Sequence, residues 1–115
     1  MLKKTDLKSL LNDPSLLANQ AYIAGEWVDA PNGETFDVLN PATGEIIASL
    51  PDLDVKMAKL AIDQAAIAQK KWAKYTGKER AVILRDMYNL MTLNAKDLGI
   101  ILTTEMGKPL AEGIG

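Results

Sequence analysis

The sequence predicts an α/β chain, α+β within its own length, in which N-terminal β-hairpins precede a helical cluster. Three observations carry this. Between residues 20 and 50, short extended runs alternate with reversals that contain Gly or Pro, whereas from residue 52 onward apolar residues recur at intervals of three and four. Thr76-Gly77-Lys78-Glu79 has the form of a capping box, in which the Thr hydroxyl accepts from the Glu79 N–H and the Glu79 carboxylate reaches back. Gly107 followed by Pro109 marks a helix stop and a chain reversal. The 115 residues amount to at most one domain. It divides into a helical arm (1–19), hairpin strands (20–52) and a helical segment (53–115) whose end falls inside a helix, as in an incomplete domain.

In the arm, Leu7, Leu10 and Leu11 fit a short amphipathic helix capped by Thr5 or Asp6, and Asp13-Pro14 starts a second short turn with Leu16 and Leu17. Lys3 and Lys4 do not open a secretory signal, because Asp6, Lys8, Asn12 and Asp13 interrupt the apolar core it requires. No apolar run is long enough to span a bilayer, and the expected location is cytoplasmic.

Ala21-Tyr22-Ile23 and Trp27-Val28 flank a tight reversal at Ala24-Gly25-Glu26, where Gly25 supplies positive φ. Pro31-Asn32-Gly33 turns the chain into a strand over 35–39, and Asn40-Pro41-Ala42-Thr43-Gly44 turns it again into a strand over 45–50. Trp27, Phe36 and Ile47 are expected to serve core and cross-strand packing. Pro51 ends the sheet.

Asp52 or Asp54 then caps a helix that reaches about Tyr75. Its stripe of Ala58, Ala61, Ile62, Ala65, Ala68 and Trp72 is small until the last turn, which allows close approach to a neighbour. After Thr76, the stripe Ile83, Leu84, Met87, Leu90 and Met91 defines the next helix. Asn94 breaks it, and Ala95 opens another through Leu98, Ile101 and Leu102 that stops at Gly107. Pro109 suits the first position of a last helix.

Composition limits the chemistry. With 48% hydrophobic and 24% charged residues the balance is that of an ordinary globular chain, and a net charge of −2 gives no footprint for nucleic acid or anionic membrane. Lys56, Lys59, Lys70, Lys71 and Lys74 are diluted by Asp52, Asp54 and Asp63 and read as a solvated face. The chain has no Cys and no His, which removes thiol nucleophiles, the imidazole base and the usual zinc ligands. Gly107-Lys108 fails as a phosphate-binding loop twice over, since Leu102 stands where a Gly is needed and Pro109 where Ser or Thr is needed. Gly25, Gly33 and Gly44 are too widely spaced to cradle a pyrophosphate. Glu105 stands out differently: it is a carboxylate in the last turn of a helix, where the macrodipole disfavours an anion. A nearby cation would offset that cost, and simple exposure would tolerate it.

Several stretches resemble the NAD(P)-dependent aldehyde dehydrogenases of the succinate-semialdehyde dehydrogenase type. They are Ile23-Ala24-Gly25-Glu26-Trp27, Val38-Leu39-Asn40-Pro41-Ala42-Thr43-Gly44-Glu45, Ala61-Ile62 with Trp72, Glu79-Arg80-Ala81 with Leu84, and Leu102-Thr103-Thr104-Glu105-Met106-Gly107-Lys108-Pro109-Leu110. They fall in the family's order and spacing across residues 20–115. The resemblance implies the N-terminal part of a much longer oxidoreductase, which oxidises an aldehyde through a cysteine thiohemiacetal, passes hydride to NAD or NADP and releases an acid. Its catalytic cysteine, base, oxyanion-hole asparagine and nucleotide loop lie downstream of the similar segment, so no catalytic or cofactor-binding residue is assigned here. This chain alone is expected to bind no nucleotide and to be inactive. The resemblance also implies a structural monovalent-cation site in which carbonyls at Val38 and Leu39 meet the Glu105 carboxylate. Its expected partners are the remainder of the enzyme chain, a small aldehyde and further copies in a homo-oligomer. The rival reading is an autonomous, non-catalytic α+β interaction module. A segment of an enzyme would leave the stripes over 58–72 and 98–102 open, whereas a module would bury them.

Overall fold

In the computed structural model, which describes residues 2–115, the arm is not an appendage but the filling between a hairpin and a helix. Lys4 bridges Ile46 in parallel: the Thr5 N–H donates to the Ile46 carbonyl at 2.9 Å and the Ile46 N–H to the Lys3 carbonyl at 2.8 Å. The Thr5 hydroxyl donates to the Glu45 carboxylate. Two short 3-10 turns follow, Leu7–Leu10 and Pro14–Leu16. The first is the expected short helix, in 3-10 form, and neither Thr5 nor Asp6 caps it with a side chain. Leu11 is already extended, at φ −96° and ψ 143°, and Pro14 disfavours helical geometry at the residue before it. Asp13 caps the second turn, accepting from the Ser15 N–H at 3.0 Å.

Strands β1 (Ala21–Ile23) and β2 (Glu26–Val28) form a hairpin whose two-residue turn has positive φ at both Ala24 (54°) and Gly25 (86°). Such a turn matches the strand twist, so Ala24 shares a left-handed requirement that Gly25 alone was expected to meet. Tyr22 and Trp27 face each other across it with ring centroids 5.0 Å apart. Trp27 and Phe36 are nonetheless exposed, contrary to a core role, because a two-stranded hairpin has no second layer over its outer face. Ile47 is buried as expected.

Strands β3 (Thr35–Leu39) and β4 (Ile46–Pro51) pair antiparallel. Val38 lies opposite Ala48 and Leu39 opposite Ile46, so Ile47 is the extra residue of a bulge. β4 is shifted by one residue from the expected 45–50 and includes Pro51, which is tolerated at a strand terminus.

Helix α1 (Val55–Trp72) is capped not by Asp52 but by Asp54, whose carboxylate accepts from the Met57 N–H at 2.9 Å. It ends at Trp72, before Tyr75, because i→i+3 bonds from Lys74 and Tyr75 tighten the chain out of the helix. Its alanine stripe makes no extensive contact with another described helix; Ala61, Ala65 and Ala68 line a cleft with the β1–β2 turn. Helix α2 (Gly77–Leu93) starts with both bonds of the capping box, Glu79 N–H to Thr76 Oγ1 at 3.2 Å and Thr76 N–H to Glu79 Oε2 at 2.7 Å. Asn94 closes α2 and opens α3 (Ala95–Met106), which Gly107 terminates at φ 80°. Pro109 is the N-cap of α4 (Leu110–Ile114), one place before the first-turn position expected for it.

The core consists of Leu7, Leu11, Leu17 and Ile47, with Val38, Ile100 and Ile101 packed against it. Arm, β3–β4 and α3 thus share one centre. Asp97, only 3% exposed, sits beside it: its Oδ1 accepts from the Asn12 N–H at 3.0 Å and its Oδ2 from the Asp13 N–H at 2.8 Å. On the other side of α3, Gly99 and Gly113 let α4 approach so closely that a Cβ on Gly99 would lie 2.5 Å from Ile114 Cγ1 and 3.1 Å from its backbone N. Beyond this centre the molecule is open. Its accessible surface is 8605 Å², against about 6,200 Å² for a compact monomer of this mass, and its radius of gyration is 16.9 Å against about 13 Å.

Asp97→Asn turns one acceptor toward an N–H as a donor and removes the charge; a loss of about 1–3 kcal/mol is expected, read as faster hydrogen exchange of the Asn12 and Asp13 amides. Gly99→Ala is expected to undock α4, seen as rapid exchange over residues 110–114 while α2 is unchanged; unaltered exchange there would count against the close contact.

Candidate functional site

The expected cation ligands lie on two elements that the fold brings to one corner. Val38 and Leu39 close β3 at the bulge, with Val38 half-buried and Leu39 exposed. The turn after them is rigid: the Asn40 N–H donates to the Glu45 carbonyl, the Gly44 N–H to the Asn40 carbonyl and the Ala42 N–H to Asn40 Oδ1, all at 2.8 Å. Glu105 is exposed in the last turn of α3.

Two residues beyond it, Gly107 faces the hairpin turn, and a Cβ there would lie 3.1 Å from Pro41 Cγ. The αL geometry of Gly107 and the ring of Pro41 therefore fix where the end of α3 meets the end of β3. Thr104 Oγ1 returns a bond to the Ile100 carbonyl at 2.6 Å, while Thr103 Oγ1 is buried without a partner among the described residues.

The two elements that meet at this corner carry the carboxylates of Glu45, at the turn, and Glu105, at the end of α3. No group of three or more His, Cys, Asp or Glu side chains that could hold a metal ion converges among the described residues. The Glu105 carboxylate stands at the negative end of α3, where a cation offsets the macrodipole.

Sequence reasoning missed Asp97 and the pair Gly99 and Gly113. Asp97 falls in the first turn of α3, where an acid ordinarily complements the helix dipole, and that local explanation conceals its role. Its partners are 84 and 85 residues away, and nothing in the sequence links them. Gly99 within a helical pattern was a usable signal, since an interior helical Gly costs about 1 kcal/mol relative to Ala and implies a packing reason.

Comparison with known proteins places this geometry. The aldehyde dehydrogenase family model matches residues 27–115. Over 105 residues the chain is 49% identical to succinate-semialdehyde dehydrogenase [NADP(+)] of Escherichia coli K12 and 50% identical to 3-sulfolactaldehyde dehydrogenase of Pseudomonas putida. Each match covers 91% of this chain and 22% of the relative, so the chain spans about a fifth of their length. The crystal structure of an aldehyde dehydrogenase from Brucella melitensis biovar abortus superposes with a TM-score of 0.86 at 50% identity, over 91% of this chain and 22% of that one. The two small antiparallel sheets and four helices are thus those of the N-terminal α/β segment of such enzymes. Three-quarters of the chain falls within the family model and nearly all of it keeps the backbone of a solved relative: the chain belongs to the aldehyde dehydrogenase family.

Proposed function

We propose that this chain is the N-terminal portion of an NAD(P)-dependent oxidoreductase that converts a short aldehyde to its acid. The observation that carries the proposal is the agreement of backbone and sequence over 91% of the chain with enzymes of which it represents 22%. Succinate semialdehyde and 3-sulfolactaldehyde both carry an anionic tail, and the chain is almost equally similar to the enzymes named for them. A short aldehyde with a carboxylate or sulfonate is therefore the substrate class, with succinate semialdehyde the first to try.

No residue of this chain is given a part in hydride transfer. The chain has neither Cys nor His, so thiolate attack on the aldehyde and its base belong to the remainder of the enzyme. NAD or NADP, when bound there, supplies the hydride acceptor. What these residues contribute is a frame: the Asp97-clamped arm, the bulged hairpin and the α3 corner. At that corner we place a structural monovalent cation, held by the carbonyls of Val38 and Leu39 and the carboxylate of Glu105. Of the two stripes that separate this reading from an autonomous module, that over 58–72 has no buried residue, as in a segment, whereas in that over 98–102 Ile101 packs against the core.

The isolated chain is expected to produce no NADPH from succinate semialdehyde and NADP⁺ above a buffer control. A chimera in which it replaces the matched 105 residues of the Escherichia coli relative is expected to do so. A folded chimera without aldehyde oxidation overturns the enzymatic reading. In the same chimera, potassium at about ten times its dissociation constant contributes about 1.4 kcal/mol of stability, and Glu105→Gln, which keeps shape but loses charge, is expected to lose most of it. An unchanged melting response to potassium in that variant rejects the cation site.

A further inference from the structure

Pro31, Asn32 and Gly33 link β2 to β3, and all three are exposed. The Gly33 N–H donates to the Ala30 carbonyl at 2.9 Å, closing a turn with Pro31 and Asn32 at its centre. Asn32 Oδ1 accepts from the Glu34 N–H at 3.0 Å, which folds the side-chain amide back along the peptide unit that contains the Gly33 nitrogen. Gly33 is at φ 74°, and a Cβ built on it would meet nothing within 4 Å, so the space there is open. Of the six asparagines in the chain, Asn32 alone precedes a Gly. Asn40 has the same turn, its Oδ1 accepting from the Ala42 N–H at 2.8 Å, but Pro41 after it has no N–H to lose. Asn12 precedes Asp13, whose N–H is held by the Asp97 carboxylate. Asn19, Asn89 and Asn94 precede residues whose Cβ crowds the nitrogen.

We propose that Asn32 is a site of self-modification, in which its side-chain amide is lost to the Gly33 nitrogen and then to water. The deprotonated Gly33 nitrogen attacks Asn32 Cγ. A bond forms between them while the Cγ–Nδ2 bond breaks, and Nδ2 leaves as ammonia with the proton that Gly33 gave up. The product is a five-membered cyclic imide. Oδ1 carries the negative charge of the tetrahedral intermediate, and the Glu34 N–H already donates to it. One water then opens the ring. Attack at the side-chain carbonyl gives aspartate, and attack at the main-chain carbonyl gives isoaspartate. Either product adds one negative charge, and isoaspartate also adds one methylene to the main chain. That added length falls between Ala30, which is buried, and Glu34, whose carbonyl accepts from the Asp52 N–H at 2.9 Å. The reaction needs only water and is independent of the aldehyde chemistry proposed above.

The test incubates the 115-residue chain in buffer and in urea, digests it, and follows the mass of every peptide that contains an asparagine. A gain of about 1 Da at Asn32 is expected, at least about ten-fold faster than at any other asparagine, with aspartate and isoaspartate forms that separate by chromatography. The rate rises with pH, because the attacking nitrogen must lose its proton. In buffer it stays within about ten-fold of the rate in urea, since opening one turn hydrogen bond withholds no more. An Asn32 that changes in urea but stays intact in the folded chain overturns the proposal, because the turn then protects it. Aspartate without isoaspartate overturns the cyclic step. Equal change at Asn40 overturns the part given to the Gly33 nitrogen.

Discussion

A buried carboxylate with two backbone donors ties the ends of this chain together. Asp97 accepts from consecutive N–H groups of Asn12 and Asp13, the point between the two 3-10 turns where the arm has no secondary structure to satisfy its own amides. Hydrogen bonds to a charged acceptor are shorter and stronger than neutral ones, and leaving such a group buried without its donors is costly. With the arm held there, Leu7, Leu11 and Leu17 reach Ile47 from one side and α3 from the other. Without it, the β3–β4 hairpin and α3 would share little apolar surface. The bulge serves the same end, since the extra residue it accommodates, Ile47, is the one hairpin side chain fully in the core.

What was legible in the sequence is what is decided locally. The capping box at Thr76 and Glu79, the break at Asn94 and the left-handed stop at Gly107 all depend on residues within one or two turns, and all stand where the pattern put them. The two short turns of the arm were legible but their type was not, because a leucine spacing of three and four fits a 3-10 turn as well as an α-helix when only four residues are involved. Trp27 packs across the hairpin on Tyr22 as expected, but neither it nor Phe36 enters the core, because alternation marks the face a side chain takes but not whether anything lies over that face. Of the candidate site, the turn and the helix end were legible as separate pieces. Their meeting depends on Pro41 packing against Gly107, a contact 66 positions apart in sequence.

The same division separates the well-packed from the open part of the molecule. Among the described residues, every buried side chain belongs to the arm, to strand β1, β4 or the loop after β2, or to α3. Helices α1 and α2 are long and well capped, and they carry apolar side chains in the open. Good capping sets where a helix begins and ends; it does not supply the apolar layer that makes it stable.

Asn94 is the joint between these two parts. It is the single residue separating α2 from α3, it adopts φ −104° and ψ 16°, and its side-chain amide donates to the Leu90 carbonyl at 2.9 Å. Seventeen residues at a rise of about 1.5 Å make α2 a rod roughly 26 Å long pivoting on one residue. A change of about 10° at that pivot displaces the far tip, with Thr76 and the capping box, by about 4–5 Å. Whatever lies against the side of such a lever, rather than the joint itself, sets its angle.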